Sequence, residues 1–144
     1  MRKIILILPI LLLSGSCATT KQVEGTTVIT QEQVQAELLG ENVPIYPGFK
    51  LVSEKSFVYE SGNIKVGRLV FKGRAKIKDI VSYYKSTLPE KGWEPVAITI
   101  YGNKAQLSFT TPEQFLQINA EKGFSSTTLI IQIGPRGELT NSQE

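Results

Sequence analysis

Lys76-Ile77-Lys78-Asp79-Ile80-Val81-Ser82-Tyr83-Tyr84-Lys85-Ser86-Thr87-Leu88-Pro89-Glu90-Lys91-Gly92-Trp93 is the stretch that decides the fold. Ile77, Ile80, Val81, Tyr84 and Leu88 recur in it at spacings of three and four, the apolar stripe of an amphipathic helix over 76–88. Pro89-Glu90-Lys91-Gly92 supplies the stop: a proline cannot continue the ladder, and a glycine accepts the left-handed backbone that follows many helices. On both sides of this stretch the apolar period falls from about 3.6 to 2, so a single helix interrupts a run of strands.

Upstream of the helix, residues 49–60 and 64–72 read as extended, and Ser61-Gly62-Asn63 between them is turn chemistry, which predicts a β-hairpin. Ile64 and Val66 share one parity of the second strand while Leu69 and Phe71 share the other, so an extra, bulged residue is expected at Gly67 or Arg68. Downstream, residues 93–101 and 104–111 flank Gly102-Asn103, a pair suited to a two-residue primed turn. Two more strands, 115–121 and 125–133, meet at Lys122-Gly123-Phe124, with Leu129, Ile131 and Ile133 on one face. The expected class is α+β, in the order β-β-α-β-β-β-β: an antiparallel or mixed sheet of about six strands with one amphipathic helix packed on one face.

The domain is expected to span 43–135, because Val43-Pro44-Ile45-Tyr46-Pro47-Gly48 enforces an extended lead-in and a turn, and nearly all the aromatic residues follow it. Residues 136–144 read as a solvated tail. Residues 17–42, rich in Thr, Gln, Gly and Glu and without an aromatic residue, read as a flexible tether that cannot form a core alone. As a random coil it would span ~25 to 30 Å. Within it, Thr30 with Gln33 fits a capping box, Val34 and Leu38 lie one turn apart, and Gly40 suits a C-cap, which predicts a short helix over 31–39. Nine residues are marginal without tertiary contacts, so this helix either packs on its own domain or docks on a partner.

At the N-terminus, Met1-Arg2-Lys3 is a positive n-region and residues 4–13 are an apolar run interrupted only by Pro9, the pattern of a signal peptide over 1–16. The run is too short for a spanning helix, which needs ~20 apolar residues. Leu13-Ser14-Gly15-Ser16-Cys17 resembles the lipobox of bacterial lipoproteins, with small residues at the three positions before the cysteine and the leucine one position earlier than in its commonest form. That resemblance implies cleavage before Cys17, a diacylglycerol on its sulfur, usually a further acyl chain such as palmitate on its amine, and attachment to a membrane through these lipids. The alternative is an ordinary signal peptide followed by one free thiol. Cys17 is the only cysteine, so no intramolecular disulfide can use it, and an exported free thiol is a liability. Two acyl chains give stable anchoring. Ala18 stands where enteric-type bacteria place aspartate to retain a lipoprotein in the inner membrane. By that rule the periplasmic face of the outer membrane is favoured over the outer face of the cytoplasmic membrane.

Composition excludes more chemistry than it suggests. Removal of residues 1–16 leaves 14 basic and 13 acidic residues, a balance that argues against nucleic acid as a partner. No histidine is present and the one cysteine is assigned to lipid, which removes Ser-His-Asp and Cys-His catalysis, zinc sites built on His or Cys, and haem or iron-sulfur ligation; no cofactor or metal is expected. Gly62, Gly67 and Gly73 match neither phosphate-loop pattern. Paired carboxylates remain. Glu60 and Glu94, each beside an aromatic residue (Tyr59, Trp93), are either a glycosidase-like pair or solvent-facing charges at strand ends, the simpler reading.

The clearest local feature is a run of one sign, Lys65, Arg68, Lys72, Arg74, Lys76 and Lys78, with no acidic residue between Glu60 and Asp79. Converging, these six would attract anionic lipid, lipopolysaccharide or glycan. Dispersed, they are the wet face of a strand and a helix start, where the macrodipole disfavours cations. Tyr84 belongs to the helix stripe, Tyr83 to its boundary, and Trp93 either packs under the helix end or anchors a partner.

From Tyr46-Pro47-Gly48 through Tyr83-Tyr84-Lys85 and Lys91-Gly92-Trp93 to Ile131-Gln132-Ile133, the chain resembles small bacterial lipoprotein domains that share these segments, and no catalytic residues come with that resemblance. Helix-on-sheet domains also occur among lipoprotein accessories of the outer-membrane barrel-assembly machinery, an analogy of fold alone. The expectation is a noncatalytic, lipid-anchored envelope protein that binds a protein partner or has a structural role, with strand addition as one binding mode; the alternative is a module for anionic ligands.

Overall fold

The computed structural model describes residues 30–34 and 38–137. The expected cleavage site, Cys17 and most of the expected tether lie outside the described residues, as do 35–37 of the expected 31–39 helix. The element order is α1 (Gln31–Val34), β1 (Lys50–Leu51), a 3-10 turn (Ser53–Lys55), β2 (Phe57–Ser61), β3 (Ile64–Gly73), α2 (Ile77–Glu90), β4 (Glu94–Tyr101), β5 (Lys104–Thr110), β6 (Gln114–Lys122) and β7 (Thr127–Pro135). All strand pairs are antiparallel, in the order β1-β3-β7-β6-β5-β4, with β2 also on β3. Because β1 and β2 pair successive parts of β3, they are two pieces of one edge strand, and seven strands fill six lanes. The fold is the α+β class expected, with one long helix on one face of an antiparallel sheet.

Directly paired residues share a face, so the register sorts the sheet into a core face and an open face. Leu69 and Phe71 of β3, Leu129 and Ile131 of β7, Leu116 and Ile118 of β6, and Leu107 and Phe109 of β5 are fully buried on the core face. Ile80, Val81, Tyr84 and Leu88 of α2 are buried with them. A fully buried Leu or Phe side chain contributes ~1.5–3 kcal/mol relative to an exposed one, so this layer holds the domain together. The helix runs two residues past the expected Leu88, with Pro89 in its last turn, where the chain is already closing. Trp93 N–H donates to the Leu88 carbonyl (3.1 Å) and Gly92 N–H to that of Pro89 (3.1 Å), a Schellman ending with Gly92 at φ +89.

The expected bulge at Gly67 or Arg68 is absent: β3 pairs with β2 and β7 without a shift in register. The conflict of parity resolves because Val66 and Val70 belong to the open face, while Gly67 is a core-face position whose missing side chain makes room for Leu38. A Cβ on Gly67 would lie 2.1 Å from a Leu38 methyl carbon. The irregularity falls instead between Pro95 and Ala97 of β4.

The core also takes in Val34, Leu38, Leu39, Val43 and Phe49, so packing reaches upstream of the Val43 start. Gln31 Oε1 accepts from Leu51 N–H (2.9 Å), which ties α1 to β1. Three side chains staple the following segment to the helix end: Tyr84 hydroxyl donates to the Pro44 carbonyl (3.2 Å), Lys91 Nζ to that of Glu41 (2.7 Å) and Trp93 Nε1 to that of Asn42 (3.0 Å). Phe49, Tyr46, Tyr83 and Tyr84 meet edge to face in succession, at centroid distances of 5.4, 5.0 and 5.1 Å. Trp93 thus packs in the core under the helix end, the first of its two expected readings, and Tyr83 is half-buried at the boundary.

Candidate functional site

The two edges of the sheet are built differently. The β1/β2 edge is broken by the 3-10 turn, carries Lys50, Glu54, Lys55 and Glu60, and is held by Arg68 Nη1 donating to the Lys55 carbonyl (3.2 Å). Interruptions and charges of this kind prevent edge-to-edge pairing. The β4 edge is protected only at its start, where Pro95 lacks an N–H and the register shifts before Ala97. From Ala97 to Tyr101 it has no charged residue, and Ala97, Thr99, Ile100 and Tyr101 are exposed.

The hydrogen-bonding pattern of that edge follows from its turn. Gly102-Asn103, with Gly102 at φ +57, joins Tyr101 directly to its partner Lys104, the two-residue primed turn expected from sequence. Such a turn closes on a hydrogen-bonded pair, and such pairs alternate along an antiparallel ladder. Tyr101, Thr99 and Ala97 therefore bond toward β5, while the N–H and C=O groups of Ile98 and Ile100 point away from it. Among the described residues β4 pairs only with β5.

A second feature is a groove of about 220 Å³ on the open face. It exists because Gly134 puts no side chain between Val66 of β3 and Phe115 of β6; Phe57 and Arg68 bound one end, with Gln117 and Gln132 in the next row. Asn119 Nδ2 donates to Gln132 Oε1 (3.4 Å) and Gln117 Nε2 to Asn119 Oδ1 (3.5 Å), so the open face beyond the groove is an amide network.

The six cations do not form one cluster. Lys65 lies on the core-face parity at the hairpin end, 3.5 Å from Glu60 Oε2. Arg68 and Lys72 lie on the open face but ~13 Å apart along β3. Lys72 is paired with Lys50 and Thr128 in its row. Arg74 is in the loop after β3, Lys76 is the N-cap residue of α2 and Lys78 is in its first turn. Glu60 and Glu94 stand on opposite edge strands and opposite faces, five strand spacings or roughly 24 Å apart. The two-carboxylate mechanism needs ~5–9.5 Å, so these two cannot act as a pair.

Sequence reasoning did not single out β4 as the open edge, because strand order is not written in local periodicity. The usable signal was an uncharged Ala97-Ile98-Thr99-Ile100-Tyr101 next to a charged first hairpin. Among the described residues no helix is long and apolar enough to cross a membrane. No protein-family profile, curated protein or solved structure matches the chain.

Proposed function

We propose that this chain is a lipid-anchored, noncatalytic domain of a bacterial cell envelope that binds protein by accepting an extended strand along β4. One observation carries the reading: an edge without charge from Ala97 to Tyr101, whose Ile98 and Ile100 backbone groups face outward, on a sheet whose other edge is broken and charged. Strand addition draws affinity from main-chain hydrogen bonds and specificity from alternate side chains. The anchoring half of the reading rests on the sequence, on Cys17 after a short apolar run. Tethering to a membrane raises the effective concentration of partners held at the same surface.

The test is crosslinking of the full-length protein in cells, with adducts identified by mass spectrometry. Ile100→Pro removes an outward N–H while leaving the bonds to β5 in place, and Cys17→Ala removes the anchor. Protein adducts present in the parent and lost in both variants support the proposal; the same adducts at undiminished yield in Ile100→Pro refute the role of β4.

A further inference from the structure

We infer that the strand accepted by β4 is β4 of a second copy of this chain, giving a twofold dimer with a continuous sheet; this rests on the reading of β4 as an accepting edge. The register follows from the outward groups. Pairing the two edges antiparallel about a twofold axis at Thr99 sets Ile98 of each copy opposite Ile100 of the other, and each such pair exchanges both of its hydrogen bonds. All four outward groups of both copies are then satisfied. An axis at Ile100 carries Ile98 onto the turn residue Gly102, and an axis at Ile98 carries Ile100 onto Val96 at the irregularity, so each of these forms only the central pair of bonds.

The side chains fit the same register. Paired residues share a face, so Ile98 and Ile100, the latter 58% exposed, cover one another on the helix side. On the open face, Thr99 meets Thr99, and Tyr101, 54% exposed, lies over the small Ala97. Aromatic and β-branched cross-strand pairs are the favourable ones, and no charge is brought against its like between Ala97 and Tyr101. A symmetric contact of this kind buries the same patch on both copies and closes at two. With a single strand from each side the interface is in the small, transient class, and confinement to one membrane surface raises its occupancy. The two grooves over Gly134 then lie on one side of a twelve-lane sheet.

The experiment uses the full chain with Cys17→Ala, which leaves no other thiol, and single cysteines at 97 to 101 and at the exposed helix position 85. A non-hydrogen-bonded pair at the axis brings the two residue-99 Cα atoms to ~4.5 Å, within the ~4.4–6.8 Å a disulfide spans. Thr99→Cys is expected to form disulfide-linked dimer on mild oxidation about tenfold faster than Ile98→Cys, Ile100→Cys or Lys85→Cys alone. Adding Ile100→Pro, which removes two of the four interchain bonds, slows it about tenfold. A rate at Thr99→Cys no greater than at Lys85→Cys overturns the second copy as occupant. A photo-crosslinking side chain at position 99, used in cells on the anchored chain, separates the two readings. An adduct with the same chain supports the dimer, and one with a different protein overturns the dimer but leaves β4 an accepting edge. No adduct at 97–101 overturns both.

Discussion

Gly73→Ala tests the packing that joins the N-terminal segment to the sheet. Gly73 does not occupy a left-handed conformation, so the change is one of space alone. A Cβ built there meets three ring carbons of Phe49 at 2.4, 2.7 and 2.7 Å, and the Phe49 ring is itself buried and edge to face with Tyr46. The ring has to move, and with it the aromatic series that reaches Tyr84. Overpacking of this kind costs ~1–3 kcal/mol, against ~0.4–1 kcal/mol recovered because alanine restricts the unfolded chain. The expected net loss is about 1–2 kcal/mol. Urea unfolding followed by the fluorescence of Trp93, the only tryptophan and a core residue, measures it. Phe49→Leu alone is destabilising, because it removes a buried ring. In Gly73→Ala/Phe49→Leu the smaller side chain vacates the space that the added methyl needs, so the double variant is less destabilised than the sum by about 1 kcal/mol. Strict additivity would refute the contact, since separated sites add within ~0.5 kcal/mol.

Gly92→Ala, at φ +89, is expected to cost ~1–2 kcal/mol in the same unfolding assay through left-handed strain, although no atom lies within 4 Å of the added carbon. Burial raises the Tyr84 hydroxyl above its ordinary pKa of 10.0, and burial together with the neighbouring Tyr46 raises Tyr83. The unfolded chain therefore ionises first; the stability is whole below pH 10.0 and is lost as pH rises above it. Tyr84→Phe should flatten that loss in unfolding curves measured from about pH 9 to 11, and an unchanged slope would count against burial as its cause. Cys17→Ala should move the full chain out of the diacylglycerol-labelled, detergent-requiring fraction; labelling that persists in the variant would exclude Cys17 as the lipid site.

The helix was legible because five apolar residues at helical spacing leave no alternative period, and the later strands because Leu107, Phe109, Leu129, Ile131 and Ile133 alternate cleanly. Residues 49–60 were less so. They read as one strand, whereas Ser56 Oγ donates to the Val52 carbonyl (2.8 Å) and accepts from Val70 N–H (2.9 Å), bonds that accompany a turn in mid-edge. In sequence Gly67 suggests a local device of the backbone, whereas its role is long-range, the seat of a leucine from far upstream. The cations illustrate the same limit of one-dimensional reading: adjacent in sequence, Lys65, Arg68, Lys72, Arg74, Lys76 and Lys78 are separated by strand parity and by a loop. The groove depends on what is missing at Gly134, and the open edge on strand order, neither of which leaves a periodic trace.

The lane order has a kinetic corollary. β4 to β7 are successive neighbours, three hairpins that close over short loops as soon as they are made. β3 has no such neighbour downstream: its core-side partner is β7, and joining Gly73 to Thr127 closes a loop that contains α2 and three strands. Loop closure of that length costs on the order of 3.5 kcal/mol in chain entropy, so β3, although it pairs locally with β2 across a short turn, meets β7 late. During synthesis it emerges with Leu69, Val70 and Phe71 already in place and waits for the last strand of the domain to appear. Until then the edge of β3 that faces β7 stays open, and it is a place where a holdase would act on yield.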